Sequence, residues 1–150
     1  MKRITALLGI ALLCAFGTAQ AQNCTITLDG NDRMQFDKKS VSVSASCPEI
    51  TVELVHSGAL PVAAMGHNVV ITETPAVNDV AQAGIKAGAA NGYVPADDAR
   101  VLVATDMIGG GETTSATFPG SALTAGGDYT FFCSFPGHSG LMRGVVEVTP

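Results

Sequence analysis

The sequence has few positively charged residues and, beyond one short run near its N-terminus, no long apolar run. Its 150 residues contain 8 Lys and Arg against 13 Asp and Glu, which gives a formal net charge of −5 at pH 7. An acidic chain of this kind is unsuited to binding a phosphate backbone or an anionic lipid surface. The one run of membrane character, over residues 4–16, is too short to span a bilayer. We therefore expect no nucleic-acid partner and no membrane insertion.

The short apolar run belongs to an N-terminal targeting pattern. Lys2 and Arg3 precede it, and Ala-Gln-Ala at residues 19–21 follows it with the small-x-small arrangement that signal peptidase recognises. We predict a cleaved signal peptide over residues 1–21 and one exported domain over residues 22–150. Since Lys2 and Arg3 are two of the 8 cationic residues, six remain against 13 acidic residues, and the domain carries a formal charge of −7.

Cysteine is scarce, and its count in the predicted domain is odd. Cys14 falls within the predicted signal peptide, where a lipoprotein role is weak because Leu13 takes a position that needs a small residue. Cys24, Cys47 and Cys133 remain. In an oxidising compartment two of these should pair, and the third is open to oxidation unless something occupies it. The odd count therefore calls for a further role for one cysteine.

Apolar and polar residues alternate over most of the domain, and turn residues separate the alternating segments. These segments lie at residues 25–28, 41–44, 51–55, 69–71, 100–104, 113–118, 129–132 and 144–148. A turn cluster at residues 29–32 should end the first of them. Alternation with a period of two is typical of strands with one buried face. About eight short strands joined by turns predict an all-β fold, an antiparallel Greek-key β-sandwich.

One segment departs from this alternation. Residues 75–95 are rich in Ala and Gly. Apolar and small residues recur there at helical spacing, namely Val77, Val80, Ala81, Gly84 and Ile85. This spacing predicts a short helical flap that lies outside the sandwich.

One loop gathers residue types that bind soft metal ions. Cys133 ends an apolar strand, His138 follows a Pro-Gly turn, and Met142 precedes the last strand. A thiolate, an imidazole and a thioether together suit copper, which accepts soft sulfur when reduced and nitrogen in both oxidation states. Each residue alone would have an ordinary structural role. Their occurrence within ten residues, beside an odd cysteine count, predicts a copper site.

A trigonal copper site with one cysteine needs a second histidine. Besides His138, the chain offers only His56 and His67. His67 stands at a turn-like entry to a strand, where it can face a site carried by a loop, and we predict it as the second nitrogen ligand. His56 ends an alternating strand, and we expect it to be partly buried and hydrogen-bonded to its neighbours.

Two other functions use the same residues. Cys133 and His138 would serve an enzyme as nucleophile and base, but such a pair needs a third orienting group and an oxyanion site. The residues would also serve a store of copper or zinc. Four dedicated ligands leave no open position for a metal-bound water, which argues against metal catalysis. We therefore expect a metal-binding protein and not an enzyme, and a reversible visible redox change would separate an electron carrier from a metal store.

The ligand loop belongs to a longer set of motifs. The spacing is Cys-x4-His-x3-Met within Phe-Phe-Cys-Ser-Phe-Pro-Gly-His-Ser-Gly-Leu-Met at residues 131–142, and Met-Gly-His-Asn stands at residues 65–68. Gly-Asn-Asp at 30–32, Met-Gln-Phe at 34–36 and Leu-Pro at 60–61 complete the set. Together they resemble azurin, a bacterial type 1 blue copper protein of the cupredoxin family. Plastocyanin and pseudoazurin have a shorter gap between this cysteine and histidine, so the spacing is discriminating.

The resemblance implies a role in copper binding for each residue of the site. His67, Cys133 and His138 would be the equatorial ligands of one type 1 copper ion. Met142 would be a long axial ligand, and the Gly66 carbonyl would make a weak contact on the opposite side. These are the roles that the matching positions have in the family.

The resemblance also implies the residues that support the site. A disulfide between Cys24 and Cys47 would account for the odd cysteine. Asn68 would tether the ligand loops near the sulfur of Cys133, and the Phe135 amide would donate a hydrogen bond to that sulfur.

The resemblance implies, finally, how electrons reach the copper. They would pass through the edge of His138, surrounded by an apolar docking patch: Leu60, Ala64, Met65, Phe135, Pro136 and Leu141. The protein would be a monomeric periplasmic carrier that cycles between Cu(I) and Cu(II), with c-type cytochromes or a periplasmic reductase as partners.

Two features depart from the pattern of the family. The chain has no Trp, and Val69 and Val70 stand where some azurins have a buried tryptophan. Ala104 occupies a place where a surface histidine can occur. Neither change affects a predicted ligand.

Overall fold

The computed structural model describes residues 22–150, so the signal peptide predicted over residues 1–21 lies outside the described residues. The described chain forms β-strands and two α-helices. In chain order these are β1 Thr25–Asn31, β2 Gln35–Phe36, β3 Ser40–Ser44, β4 Glu49–His56, α1 Val62–Met65, β5 Val70–Glu73, α2 Val77–Ala87, β6 Val103–Ala104, β7 Thr113–Pro119, β8 Tyr129–Phe132 and β9 Arg143–Thr149. Short 3-10 turns at Thr74–Ala76, Ala89–Asn91 and Gly120–Ala122 lie between them.

The strands form two sheets, which confirms the predicted β-sandwich. One sheet has the order β2-β1-β4-β7, and the other has the order β3-β9-β8-β5-β6. The expectation of a fully antiparallel sandwich is wrong at two pairs, since β1 runs parallel to β4 and β3 runs parallel to β9. The chain crosses to the other sheet between the two members of each pair. Such crossovers allow neighbouring strands to run in the same direction.

Alternate residues of the strands fill the space between the sheets. In β4, Ile50, Val52 and Leu54 are buried, and the residues between them are more exposed. Phe36 from one sheet meets Phe131 from the other edge to face, with ring centroids 5.6 Å apart. Full burial of each such side chain stabilises the fold by about 1.5–3 kcal/mol. The period-two pattern of the sequence thus becomes one continuous core.

A disulfide joins Cys24, just before β1, to Cys47 in the turn between β3 and β4, with the Cα atoms 5.7 Å apart. Within residues 22–150, Cys133 is the free cysteine, and it is buried. The pairing therefore accounts for the odd cysteine count.

The helical flap predicted near residues 75–95 is confirmed as α2. This helix covers the outer face of the second sheet, where its apolar side packs against Val70 and Phe132. Its buried residues are Val77, Val80, Ala81 and Gly84. No helix within residues 22–150 has the length and apolarity needed to cross a membrane.

Several element boundaries differ from those expected. The first strand runs on through Asn31, because Gly30 pairs with His56 of β4 and Asn31 pairs with Gln35 of β2. Most of the predicted turn cluster is therefore strand. The strand expected over residues 100–104 shrinks to Val103–Ala104, and α1 was not expected. Pairing across the sheet decides these boundaries more strongly than local propensity does.

Candidate metal centre

Three buried side chains meet near one end of the second sheet. Cys133 follows β8 directly, His138 lies in the loop between β8 and β9, and His67 lies between α1 and β5. The Cys133 Sγ is 3.9 Å from His67 Nδ1 and 3.6 Å from His138 Nδ1. The ligand atoms of all three residues lie within 4.8 Å of one another. Two distant parts of the chain thus converge on one position that can hold a metal ion.

The ring of His67 is held from outside the cluster. Its backbone forms a bridge with Ile108, with hydrogen bonds of 3.0 and 2.9 Å in the two directions. Its Nε2 lies 2.9 Å from the Asn31 carbonyl, which can only accept, so Nε2 carries the proton and Nδ1 presents a lone pair to the cluster. Burial lowers the pKa of His67, although the bond to Asn31 opposes this shift. The imidazole is therefore neutral at pH 7.

The loop between β8 and β9 turns tightly around His138. The His138 N–H donates to the Phe135 carbonyl at 3.0 Å, and the His138 carbonyl accepts from the Met142 N–H at 2.8 Å. Gly137 makes this turn possible because its φ of 85° suits a residue without a side chain. Burial lowers the pKa of His138 to about 4, and the neighbouring His67 adds to this. His138 is thus a neutral nitrogen donor at pH 7.

The thiol of Cys133 is fully enclosed. Burial raises its pKa to about 11, and the backbone amides of Asn68 and Phe135, which point at the sulfur, oppose this shift. The Gly66 carbonyl lies 3.8 Å from the sulfur. A thiol in such surroundings loses its proton at neutral pH when a cation binds beside it. The site therefore favours a metal thiolate over a free nucleophile.

Met142 adds a second sulfur at the same place in the fold. Its side chain is fully buried, and its carbonyl accepts a 2.9 Å hydrogen bond from the Cys133 N–H. A thiolate, two imidazoles whose Nδ1 atoms face the thiol and a thioether fit copper, whereas Mg²⁺ and Ca²⁺ require oxygen ligands. In the described part of the chain, no carboxylate belongs to the cluster. The donor set thus matches the metal predicted from the sequence.

Asn68 links the two segments that carry the cluster. Its Oδ1 accepts a hydrogen bond from the Ser134 N–H at 2.9 Å, and its Nδ2 donates to Ser134 Oγ at 2.9 Å. The Nδ2 also donates to the Gly92 carbonyl at 3.4 Å. Asn68 and Ser134 are both buried. Because Asn68 follows His67 and Ser134 follows Cys133, these bonds set the spacing between the two donors.

His56 lies behind the cluster and takes no part in it. Its ring stacks on that of His67, with centroids 4.3 Å apart and an interplanar angle of 15°. Its Nε2 lies 2.8 Å from the Met65 carbonyl, and its Nδ1 accepts from the Gly58 N–H at 3.1 Å. Both ring nitrogens have partners, as expected, but the side chain is fully rather than partly buried.

The predicted apolar patch includes both exposed and half-buried residues. Leu141 is 59% exposed and Leu60 is 41% exposed. Ala64 and Pro136 are also exposed, and Met65 is half-buried. The half-buried Phe135 ring lies 4.6 Å from the His138 ring, measured between centroids.

Sequence reasoning missed three residues at this end of the fold. The first is Asn31, whose carbonyl orients His67. The second is Met107, whose Sδ lies 3.0 Å from where a Cβ on Gly66 would stand, so it packs over that residue. The third is Val62, which is 42% exposed and adds apolar surface in α1. Met107 and Val62 come from segments without a metal motif, and Asn31 belongs to a motif that gives no sign of a contact with His67, so only tertiary packing brings the three to the site.

Comparison with known proteins agrees with this fold and this donor set. The family model for copper binding proteins of the plastocyanin/azurin family matches residues 22–149. An azurin from Bordetella pertussis is 50% identical over 141 residues, which cover 93% of this chain and 94% of the relative. An azurin from Alcaligenes faecalis is 52% identical over 125 residues, covering 83% of this chain and 98% of that protein.

A solved structure of similar shape is that of an azurin, Az-iso2, from the obligate methylotroph Methylomonas sp. strain J. Its TM-score is 0.81 and its sequence identity 45%, and the match covers 85% of this chain and 98% of that one. The β-sandwich fold, the enclosed cluster of soft donors and these similarities together define the chain as a cupredoxin. This chain belongs to the plastocyanin/azurin family of copper binding proteins, and the relatives named above are azurins.

Proposed function

We propose that this chain is a blue copper protein that carries single electrons between redox partners in the periplasm. The observation behind the proposal is the convergence of Cys133 Sγ with the Nδ1 atoms of His67 and His138, within 4.8 Å, on three buried side chains. Copper supplies a one-electron couple at such a site, Cu(I)/Cu(II). The protein supplies donors whose positions are fixed in advance.

We assign His67, Cys133 and His138 as equatorial ligands, Met142 as the axial ligand and the Gly66 carbonyl as a weak contact. The hydrogen bond from His67 Nε2 to Asn31 holds that ring from its far side, and backbone hydrogen bonds fix the loop that carries Cys133, His138 and Met142. A held donor set changes little when the metal changes oxidation state, so little reorganisation opposes electron transfer. The amides that point at Cys133 Sγ favour the thiolate.

The family carries electrons and does not catalyse reactions, which sets the enzyme alternative aside. The thiol itself supports this reading. A catalytic cysteine is partly exposed and has a lowered pKa, whereas Cys133 is buried and its pKa is raised to about 11. Within residues 22–150, the cluster contains no carboxylate that could orient His138 as a base.

Export of the chain is supported from two sides. The family model begins at residue 22, directly after the predicted signal peptide over residues 1–21. The Cys24–Cys47 disulfide fits an oxidising compartment. We therefore propose a periplasmic domain over residues 22–150, monomeric, with c-type cytochromes or a periplasmic reductase as partners.

The test of the copper site is the absorption spectrum of the purified protein after addition of one equivalent of copper(II). We expect an intense blue colour from charge transfer between the Cys133 thiolate and the metal, bleached by a mild reductant. Loading with zinc is the control and should give no colour, since zinc has no redox change. A copper-loaded, oxidised sample without this band would exclude the blue copper assignment.

The electron should leave through the edge of His138, and Met65 lies in the surrounding patch. Met65→Lys should slow electron self-exchange at low pH, where the lysine is charged and two facing patches repel each other. At high pH, where the lysine is neutral, the rate should approach that of Met65→Leu, the matched control. Self-exchange that does not depend on pH in the lysine variant would mean that electrons leave by another face.

A further inference from the structure

We propose that Lys39 and Arg143 form a basic rim beside Leu141, and that this rim selects redox partners whose own electron port is bordered by acidic residues. The inference rests on the proposed electron-carrier function and adds to it the charge of the partner. It starts from the small number of positive charges in an acidic domain.

Cations are few in this domain, and some are neutralised by neighbours. Lys38 pairs with Asp37 at 3.1 Å, and Arg100 pairs with Asp98 at 2.6 Å. Within residues 22–150, Lys39 and Arg143 form no ion pair, and both are exposed. Their charges are therefore available to a second molecule.

Lys39 and Arg143 both lie next to the short segment that leads from His138 into β9. The Lys39 Nζ donates to the Leu141 carbonyl at 3.0 Å, and the Lys39 carbonyl accepts from the Val145 N–H at 3.0 Å. Lys39 thus runs beside the beginning of β9, whose first residue is Arg143. Leu141, which accepts the hydrogen bond from Lys39 and precedes Arg143 by two residues, is the most exposed of the large apolar side chains described above, at 59%. Two exposed cations thus lie close to one exposed apolar side chain.

The rim is also close to the candidate copper ligands along the backbone. The Leu141 N–H donates to the His138 carbonyl at 3.0 Å. Arg143 follows Met142, whose carbonyl is hydrogen-bonded to the Cys133 N–H at 2.9 Å. A partner that contacts Leu141 therefore lies over the loop that carries three of the four donors.

The charges around this surface favour one kind of partner. The domain as a whole has a formal charge of −7 and repels an acidic protein. Two unpaired cations beside an exposed leucine give such a partner one favourable orientation, with its port towards the copper loop. The acidic residue of β9, Glu147, accepts a 2.6 Å hydrogen bond from Ser40 Oγ and limits the rim on that side. Steering of this kind changes association rates by about 10–1,000-fold at low salt.

The experiment compares electron transfer at two electrode surfaces. Copper-loaded protein is studied by voltammetry on gold coated with methyl-terminated chains, or with a mixture of methyl- and carboxylate-terminated chains that imitates an acidic port. In the oxidation step Cu(I) gives one electron to the electrode and becomes Cu(II). At low ionic strength we expect the wild type to transfer electrons about tenfold faster on the mixed surface, and the difference should disappear at high salt.

The variants decide whether the rim is responsible. The double variant Lys39→Gln/Arg143→Gln should transfer electrons equally fast on the two surfaces. In Arg143→Gln alone, the ratio of the two rates should fall about threefold from its value in the wild type. Lys86→Gln, which removes an exposed cation in α2, is the matched control and should keep it. Unchanged colour in each variant shows that the copper site is intact.

A double variant that still prefers the mixed surface as strongly as Lys86→Gln would overturn the proposal. No reversible response of the wild type on either surface would instead contradict the electron-carrier function itself. The two failures are thus distinguishable.

Discussion

The hydrogen bonds between Asn68 and Ser134 give a stability prediction that can be worked out bond by bond. Asn68→Ala removes the buried bond from the Ser134 N–H, the two contacts between the Asn68 side-chain amide and Ser134 Oγ, and one longer bond to the Gly92 carbonyl. Each normal bond contributes about 1 kcal/mol, and the Ser134 amide is left buried without a partner, which costs about 1–3 kcal/mol. We expect the variant to lose about 3 kcal/mol of unfolding free energy.

Ser134→Ala is the matched comparison because it removes the hydroxyl and keeps the backbone amide. The bond from the Ser134 N–H to Asn68 Oδ1 survives in this variant, so we expect a loss of about 1 kcal/mol. Since both changes remove the same Nδ2–Oγ bond, the double variant should lose about 1 kcal/mol less than the sum of the two single losses. This coupling is the signature of a direct interaction.

The assay is denaturant unfolding of the copper-free protein, followed by far-ultraviolet circular dichroism, with the disulfide left intact. Copper is left out because binding to the folded state would add its own stabilisation and mask the effect. Equal losses for the two single variants, or losses that simply add in the double variant, would refute the reasoning. The copper-loaded Asn68→Ala protein should keep its colour, because the Asn68 amide that points at Cys133 belongs to the backbone.

Three further predictions concern Met142 as the proposed axial ligand, the disulfide and an acidic residue near the site. Met142→Leu should keep copper and colour but raise the reduction potential, since a weak sulfur donor that favours Cu(II) is lost; voltammetry measures this, and loss of copper binding would contradict an axial role. Replacing Cys24 and Cys47 by Ser should lower stability by about 3 kcal/mol, because the bond closes a loop with a sequence separation of 23; unchanged denaturant unfolding would contradict this. Backbone hydrogen bonds, above all from the Ala59 amide, lower the pKa of Asp32 below 3.8. Its ionised form therefore stabilises the copper-free fold above that pH, and the advantage over Asp32→Asn should vanish as the pH falls through the lower folded pKa; a pH-independent difference would refute it.

The sequence allowed the site to be predicted better than the path of the chain. Cys133, His138 and Met142 share one loop, so a local motif is enough to bring them together. His67 could be preferred over His56 because it begins a strand near a turn, and the structure does place its Nδ1 3.9 Å from Cys133 Sγ. The disulfide could be expected only from resemblance to azurin, since three cysteines allow three pairings.

What sequence reasoning missed depends on contacts between distant segments. The parallel pairing of β1 with β4 needs a crossover, which has no local signal. The extension of β1 to Asn31 arises from its partners on both sides, and it overrides a turn-forming composition. That extension also brings the Asn31 carbonyl to His67 Nε2. The contact that selects the tautomer of His67 therefore has no signal in the sequence pattern.

The position of the disulfide has a consequence for folded copies of the protein that lack copper. Cys24 stands before the first residue of β1, and Asn31 at the other end of that strand contacts His67. Seven residues of strand span about 23 Å, so the disulfide lies far from the thiol of Cys133. Thiol–disulfide exchange needs direct contact between sulfurs and a thiolate, and the buried Cys133 offers neither. The folded protein without metal can therefore keep its disulfide under oxidising conditions, without exchange between Cys133 and the paired cysteines.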